Sequence, residues 1–134
     1  VGKSPWVVLD GAHNPESAEA VARAVRELFK YDRLVLLFSC LKNKDLDGMA
    51  GALCPLADEV VVAGLKTPRS RDPESLAERF RDAGKPVTVA SSVEDALKVA
   101  RCRAKVEDLI LVTGSLYLVG ETFGELRSSP FSNP

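Results

Sequence analysis

The chain has 134 residues and a formal net charge of −1; 46% of the residues are hydrophobic and 28% are charged. This is the length of about one domain and the composition of a soluble globular protein. The nearly neutral charge argues against nucleic acid as a partner, and no apolar run approaches the roughly 20 residues that a membrane span needs.

Five short apolar runs predict β-strands, in chain order at residues 6–10, 34–39, 59–64, 86–90 and 108–113. Their apolar residues are consecutive rather than alternating, which is typical of strands that are covered on both faces.

Apolar residues at helical spacing separate these strands. The first helix is predicted to begin after Asn14 as its N-cap, and the third after Asp72. The fourth has Ser92 and Asp95 at capping-box spacing. The predicted apolar faces are, in chain order, Ala18, Val21, Ala22, Val25, Leu28 and Phe29; Leu46, Met49, Ala50 and Leu53; Leu76, Ala77 and Phe80; Ala96, Leu97 and Ala100; and Leu116, Val119 and Phe123 in a helix that begins near Ser115.

This alternation predicts an α/β fold, a Rossmann-like three-layer αβα sandwich with a mostly parallel sheet. Residues 1–126 are expected to form the domain and residues 127–134 a flexible tail. Ligands bind such sheets beyond the carboxyl ends of the strands. The loops at that edge are predicted at residues 10–14, 39–44, 64–71, 91–92 and 113–115, and the turns at 30–33 and 83–85, at the opposite edge, are predicted to be ordinary solvated turns.

The sequence DGAHNP at residues 10–15 joins the first strand to the first helix and contains the only histidine, His13. The ordinary pKa of histidine lies near neutrality, so His13 suits a polar contact or a proton carrier beside a reacting group. It can equally be a helix-entry residue that is hydrogen-bonded to the backbone. Asp10 can accept from a ligand hydroxyl, or it can cap its own turn. No second histidine accompanies His13, and the cysteines lack ligand spacing, so no metal site is predicted.

Cationic and hydroxyl side chains follow other strands at the same edge. Lys42 and Lys44 flank a predicted helix start and either hold a carboxylate or phosphate or form a solvated basic loop. Arg69 or Arg71 either makes a bidentate anion contact or belongs to a surface turn. The segment Thr113-Gly114-Ser115 offers hydroxyls and free N–H groups to an anion, and its serine can cap the last helix at the same time.

Two absences limit what the chain can bind. There is no G-x-x-x-x-G-K-[ST] phosphate loop and no G-x-G-x-x-G after the first strand. The chain alone is therefore not expected to hold a nucleoside triphosphate or a dinucleotide in either of these ways.

The cysteines and the first residue bear on the origin of the chain. Cys40, Cys54 and Cys102 are odd in number and widely spaced, which favours reduced residues of a cytoplasmic protein. The chain begins with Val1 almost at a strand. This start favours a piece of a longer polypeptide, and N-terminal processing is the alternative.

Four segments together resemble the C-terminal domain of the Mur ligase superfamily, and within it folylpolyglutamate synthase/dihydrofolate synthase. They are VVLDGAHNPESA (7–18), LLFSCLKNKDLDGM (36–49), TPRS (67–70) and LVTGSLYLVGE (111–121), in order across nearly the whole chain. DGAHNP alone is shared with peptidoglycan ligases, whereas the combination is more specific to the folate branch. Ser39-Cys40 and Asn43 depart from the residues that are usual there.

The resemblance implies an ATP-dependent, amide-forming ligase. ATP would phosphorylate a carboxylate of folate or dihydropteroate, and the amine of L-glutamate would attack the resulting acyl phosphate. ATP and Mg²⁺ would be bound mainly by a preceding ATPase domain in cis, outside this chain. The chain alone is therefore expected to be inactive, and the enzyme is expected to be a monomer.

The resemblance also implies roles for individual residues. His13 and Lys42 would be catalytic, and Asp10 would lie toward ATP. The glutamate-binding residues would be His13, Lys42, Lys44, Thr113, Ser115 and Arg69. Two alternatives stay open: a peptidoglycan-precursor amino-acid ligase domain, and a stand-alone Rossmann-like binding module that uses the same edge.

Overall fold

The computed structural model describes residues 5–128, in which five strands alternate with five helices. The elements are β1 (Trp6–Asp10), α1 (Pro15–Leu28), β2 (Leu34–Phe38), α2 (Leu46–Leu53), β3 (Glu59–Ala63), α3 (Pro73–Asp82), β4 (Val87–Ala90), α4 (Val93–Arg103), β5 (Leu109–Thr113) and α5 (Leu116–Ser128). None of these helices has both the length and the apolar character that crossing a bilayer requires.

The five strands form one parallel sheet in the order β1-β5-β2-β3-β4. The predicted α/β sandwich is thereby confirmed, and each predicted strand agrees with the structure to within one residue at either end. Because β5 is the last strand along the chain and lies between β1 and β2, the chain must cross back over the sheet after β4.

Helices cover both faces of the sheet, and the strand residues alternate between the two cores. Leu34, Leu36 and Phe38 of β2 pack with α1, α2 and α3 on one face. Val35 and Leu37 pack with α4 and α5 on the other. Every residue of β2, β3 and β5 is buried, which explains why these strands are apolar at consecutive positions.

Short polar side chains start the helices, as the sequence predicts. The Asn14 side chain accepts from the Ser17 amide at 2.8 Å, and the Ser17 hydroxyl accepts in return from the Asn14 amide at 3.2 Å. Asp72 and Ser92 cap α3 and α4. The capping box predicted for α4 is only half formed, because the Asp95 carboxylate accepts from the Ser91 hydroxyl at 2.8 Å instead of returning to the cap.

Two predicted apolar faces differ from the structure. Leu28, in the last turn of α1, is 75% exposed. In α5, Leu116 and Phe123 are 68% and 53% exposed, whereas Leu118 and Thr122 are fully buried. The orientation of α5 follows from its contacts with α4 and β5, which bury the line through Leu118 although that line includes a threonine.

The carboxyl end of α5 lies beyond the predicted domain boundary. The helix continues through Arg127 and ends at Ser128, so these two residues of the predicted tail are helical. The other predicted tail residues, 129–134, lie outside the described part of the chain.

The edge of the sheet at the amino ends of the strands carries an ion cluster, which includes Arg33 of the turn that the sequence predicts to be an ordinary solvated turn. Glu59, only 6% exposed, accepts from Arg33 at 3.2 Å and from Arg103 at 3.3 Å. This cluster joins the start of β3 to the loop before β2 and to the end of α4. Removing either guanidinium would leave the buried carboxylate of Glu59 without full compensation of its charge, which is costly. The cluster therefore holds these three elements together at this edge.

Gly114 makes the tight connection between β5 and α5 possible. Its φ of +122° lies in a region that L side chains rarely adopt. A Cβ here would meet the Ser39 carbonyl oxygen and would lie 2.8 Å from Cε1 of Phe38. Both the backbone conformation and the space therefore require glycine.

Gly114→Ala is expected to lower the free energy of unfolding by about 3 kcal/mol, because it combines backbone strain with a backbone clash. Gly120→Ala, in α5, is the matched control because a Cβ there meets nothing within 4 Å. The control should raise the stability by about 0.5–1 kcal/mol through helix propensity. Urea unfolding of the two variants measures both values, and equal midpoints would contradict the requirement for glycine.

Candidate functional site

The pairing of three neighbouring strands determines which loops meet at the carboxyl edge. Asp10 of β1 and Phe38 of β2 are both in register with Thr113 of β5. Paired strands lie about 4.8 Å apart, so the three chains leave the sheet side by side. The loops that carry the histidine, the two lysines and Ser115 therefore begin next to one another.

The loop after β1 is held by its own side chains and backbone. The Asp10 carboxylate accepts from the Ala12 amide at 2.9 Å, which is the turn-capping role that the sequence left open. Nδ1 of His13 lies 3.0 Å from the Gly11 carbonyl oxygen. Because a carbonyl only accepts, this contact places the proton on Nδ1 and leaves Nε2 of the exposed imidazole available as an acceptor.

The loop after β5 lies directly against the loop after β1. The Gly114 amide donates to the Ala12 carbonyl at 3.0 Å, and the Leu116 side chain lies over Gly11, where a Cβ would collide with it. Ser115 is 3% exposed, and its hydroxyl accepts from the Tyr117 amide at 3.0 Å, so it caps the first turn of α5.

A crevice is expected where α1 and α2 leave the sheet on one face and α5 on the other, because the chain directions diverge there. Two buried hydroxyls, those of Ser39 and Thr113, lie where β2 and β5 end, in residues that are 0% exposed. Among the described residues neither hydroxyl has a hydrogen-bond partner. Orphaned polar groups of this kind are uncommon in protein interiors.

The loop after β2 carries the two lysines and is tied to the loop after β3. The Lys42 amide donates to the Arg69 carbonyl at 2.8 Å, and Leu41 forms an isolated antiparallel bridge with Ser70. Lys42 is exposed and Lys44 is half-buried. Neither ammonium group forms an ion pair with any residue in the range 5–128.

The two arginines of the 64–71 loop have different surroundings. Arg69 donates to the Tyr117 hydroxyl at 3.0 Å, and its guanidinium lies 5.5 Å from the centre of that ring. Arg71 turns inward and donates to the carbonyls of Lys42 and Lys44. The sequence offered both as anion ligands or as turn residues; only Arg69 is exposed.

Cys40 is fully buried beside Arg71. Burial raises the pKa of its thiol above the ordinary value, and a hydrogen bond and the positive charge of Arg71 offset part of that rise. Cys54 is also buried with a raised pKa, whereas Cys102 is exposed; all three are free thiols.

All of the residues predicted to form the site lie on loops or strand ends at the carboxyl edge: Asp10, His13, Lys42, Lys44, Arg69, Thr113 and Ser115. Sequence reasoning missed Tyr117, which contacts Arg69, and the inward contacts of Arg71, because neither partner is near in sequence. It also missed the buried hydroxyl of Ser39. The other predicted loop of this edge, 91–92, follows β4, three strands away from β5.

The family model described as the Mur ligase, glutamate ligase domain, matches residues 1–116 of the chain. The chain belongs to the Mur ligase family. The resemblance read from the four sequence segments is confirmed at this level, and the fold of this Mur ligase domain agrees with that of solved relatives.

Among its curated relatives, a probable bifunctional folylpolyglutamate synthase/dihydropteroate synthase of Halobacterium salinarum is 45% identical over 122 residues, which are 90% of this chain and 15% of that protein. Among solved structures, Escherichia coli FolC in complex with DHPP and ADP superposes with a TM-score of 0.86 at 31% identity, over 96% of this chain and 30% of that one.

A second solved relative was determined with a metal ion, a nucleotide analogue and an amino acid bound. The bifunctional folylpolyglutamate synthase/dihydrofolate synthase of Yersinia pestis, with Mn, AMPPNP and L-glutamate bound, has a TM-score of 0.84 at 28% identity, over 95% of this chain and 30% of that one. The Mur ligase domain thus spans less than a third of the relatives it matches.

The burial of the thiols leads to a prediction about their reactivity. With a chromogenic aromatic disulfide reagent at neutral pH, Cys102 should react rapidly, while Cys40 and Cys54 should react only when the protein unfolds. Cys102→Ser should abolish the fast phase and leave the slow phase unchanged. Two rapidly reacting thiols in the native protein would contradict the burial of Cys40 or Cys54.

Proposed function

We propose that this chain is the C-terminal, glutamate-delivering domain of an ATP-dependent ligase of the folylpolyglutamate synthase/dihydrofolate synthase type. The observation that carries the proposal is the register of Asp10, Thr113 and Phe38, which brings the loops bearing His13, Lys42 and Ser115 together. The likeness to a synthase with L-glutamate bound supports the choice of amino acid.

The chemistry of the loops suits glutamate, which has two carboxylates and an amine that must remain free to react. Lys42 and Lys44 supply ammonium groups that are free of ion pairs with the described residues. Ser115 stands at the start of the 13-residue helix α5, where free N–H groups and the helix dipole favour a carboxylate. We assign one carboxylate of glutamate to the start of α5 at Ser115, which is 3% exposed and needs a small opening of the loops for this contact, and the other to the lysines.

His13 is proposed to act on the amine of glutamate. The contact of Nδ1 with the Gly11 carbonyl orients the ring and leaves Nε2 to accept a proton. An amine must lose a proton to become a nucleophile, and again on forming an amide, so a neutral imidazole nitrogen that can accept suits this position. Lys42, on the neighbouring loop, would also stabilise the charge of the phosphate that leaves when the amine displaces it from the acyl carbon.

Thr113 is proposed to have an indirect role. It is 0% exposed, so a direct contact with glutamate requires the loops to separate. We assign its hydroxyl, which is buried without a partner like that of Ser39, to the polar surroundings of the ligand. Arg69 is exposed beside Tyr117 and is proposed as a further cation for a glutamate carboxylate.

ATP, Mg²⁺ and the folate or dihydropteroate substrate are proposed to bind mainly to a preceding domain in cis. Within residues 5–128 no group of three His, Cys, Asp or Glu side chains is arranged to hold a metal ion. The chain also lacks a phosphate-loop motif. The carboxylate of Asp10 has one oxygen bonded to the Ala12 amide, and we assign its other oxygen to the nucleotide side of the cleft.

The contribution of this domain to the reaction is then mainly positional. Holding the glutamate amine against an acyl phosphate converts a bimolecular step into an effectively unimolecular one, which is worth about 7–11 kcal/mol in favourable cases. Closure of the two domains would also exclude water, which would otherwise hydrolyse the acyl phosphate.

The first prediction of this proposal concerns the chain on its own. The 134-residue chain is expected to release no ADP in the presence of ATP, Mg²⁺, glutamate and tetrahydrofolate or dihydropteroate, because it lacks the groups that bind the phosphates. The ligase that contains the preceding domain should turn over under the same conditions. A coupled ADP assay measures both, and turnover by the chain alone would contradict the division of roles.

The second prediction concerns Ser115. In the ligase, Ser115→Ala should raise KM for glutamate about tenfold, because the carboxylate of the bound glutamate loses a hydrogen bond from the Ser115 hydroxyl. Ser92→Ala is the matched control, because it removes a comparable cap from α4, and Ser92 lies in the loop after β4, which is three strands away from β5. Both variants should lose about 1 kcal/mol of stability, but only the first should change KM. Equal values of KM in the two variants would remove Ser115 from the glutamate site.

A further inference from the structure

The lysine loop after β2 is wrapped around the guanidinium of Arg71. One nitrogen of that guanidinium, Nη2, donates to the Lys42 carbonyl at 2.9 Å and to the Lys44 carbonyl at 2.7 Å. Hydrogen bonds from a charged donor are about twice as strong as neutral ones. Two carbonyls two residues apart that converge on one atom fix the peptide planes of the segment between them.

Arg71 is itself held from two sides. Its amide donates to the Cys40 carbonyl at 3.0 Å, and its guanidinium lies against the buried Cys40 thiol. The next residue, Asp72, is the N-cap of α3. The backbone of Arg71 is therefore held in place, and its side chain extends from a fixed position.

The segment 42–44 has few other constraints. Its own backbone contacts are the Lys42 amide with Arg69 and the Lys44 amide with the Leu41 carbonyl at 3.2 Å. The three side chains are exposed or half-buried, so packing contributes little to their order. The position of the two ammonium groups thus depends on the carbonyls that Arg71 holds.

We infer that Arg71 is a positioning residue, which acts on glutamate through Lys42 and Lys44 by fixing the backbone of the loop that carries them. This inference rests on the proposed function for its kinetic consequences, but not for its structural ones. The guanidinium of Arg71 donates to carbonyl oxygens of the protein and is not assigned to the ligand. Its loss is therefore expected to misplace the lysines while leaving the number of cations at the crevice rim unchanged.

The structural arm of the test uses the 134-residue chain and does not depend on its function. Arg71→Met should speed the hydrogen exchange of the Lys42 and Lys44 amides by about tenfold, measured by NMR. Arg79→Met is the matched control, because it also removes an arginine side chain, one that donates to Asp47 of α2 at 2.9 Å rather than to the lysine loop. Exchange as slow in Arg71→Met as in the control would overturn the inference.

The kinetic arm uses the ligase. Arg71→Met should lower kcat/KM for glutamate about tenfold and leave KM for ATP within about twofold. In a background of Lys42→Met and Lys44→Met, the same substitution should change kcat/KM by less than about twofold, because the residues through which Arg71 acts are gone. A full tenfold loss in that background would show that Arg71 does not act through the lysines.

Failure of the two proposals can be told apart. If the unsubstituted ligase transfers no glutamate, the proposed function fails, and the exchange rates alone decide whether Arg71 fixes the loop. If the ligase is active and the exchange rates respond as expected but kcat/KM does not change, the loop is ordered by Arg71 without serving the reaction, which overturns the inference.

Discussion

The parallel pairing of β1, β5 and β2 is the constraint on which the candidate site depends. With Asp10, Thr113 and Phe38 side by side, three loops that are far apart in sequence emerge within about two strand spacings. Buried strands cannot slip by one residue without turning apolar side chains from one core to the other. The hydrophobic effect that builds the sheet therefore also sets the spacing of the polar groups above it.

Above the rigid sheet, each loop is held by a different local device. The first loop is closed by the Asp10 carboxylate and by the capping box of Asn14 and Ser17. The last is closed by the left-handed backbone of Gly114. The lysine loop has the hydrogen bond from the Lys44 amide to the Leu41 carbonyl, and its carbonyls are held by Arg71, which is 27 to 29 residues away. A substitution at a distant position, Arg71, is thus expected to alter the geometry of this loop more than that of the other two.

Much of this could be predicted from the sequence because the relevant physics is local. Consecutive apolar runs identify strands that are covered on both faces, and Asn14, Asp72 and Ser92 mark helix starts by the chemistry of capping. The face of α5 could not be predicted in this way. Its apolar periodicity through Leu116 and Phe123 indicates one side, but the helix buries Leu118 and Thr122 because contacts with other elements determine its orientation. Arg71 illustrates the same limit, since an arginine beside a proline-containing turn is equally compatible with binding an anion and with binding distant carbonyls.

The turn between α3 and β4 lies at the edge of the sheet opposite the candidate site. Gly84 is exposed, has a φ of +83° and has nothing within 4 Å of the position of a Cβ. It stands at the edge remote from the crevice, and the four residues of β4, at about 3.3 Å each, place roughly 13 Å between this turn and the far end of that strand. An affinity peptide or a fluorescent probe joined to the chain at this turn would report on the domain from the edge opposite the candidate site.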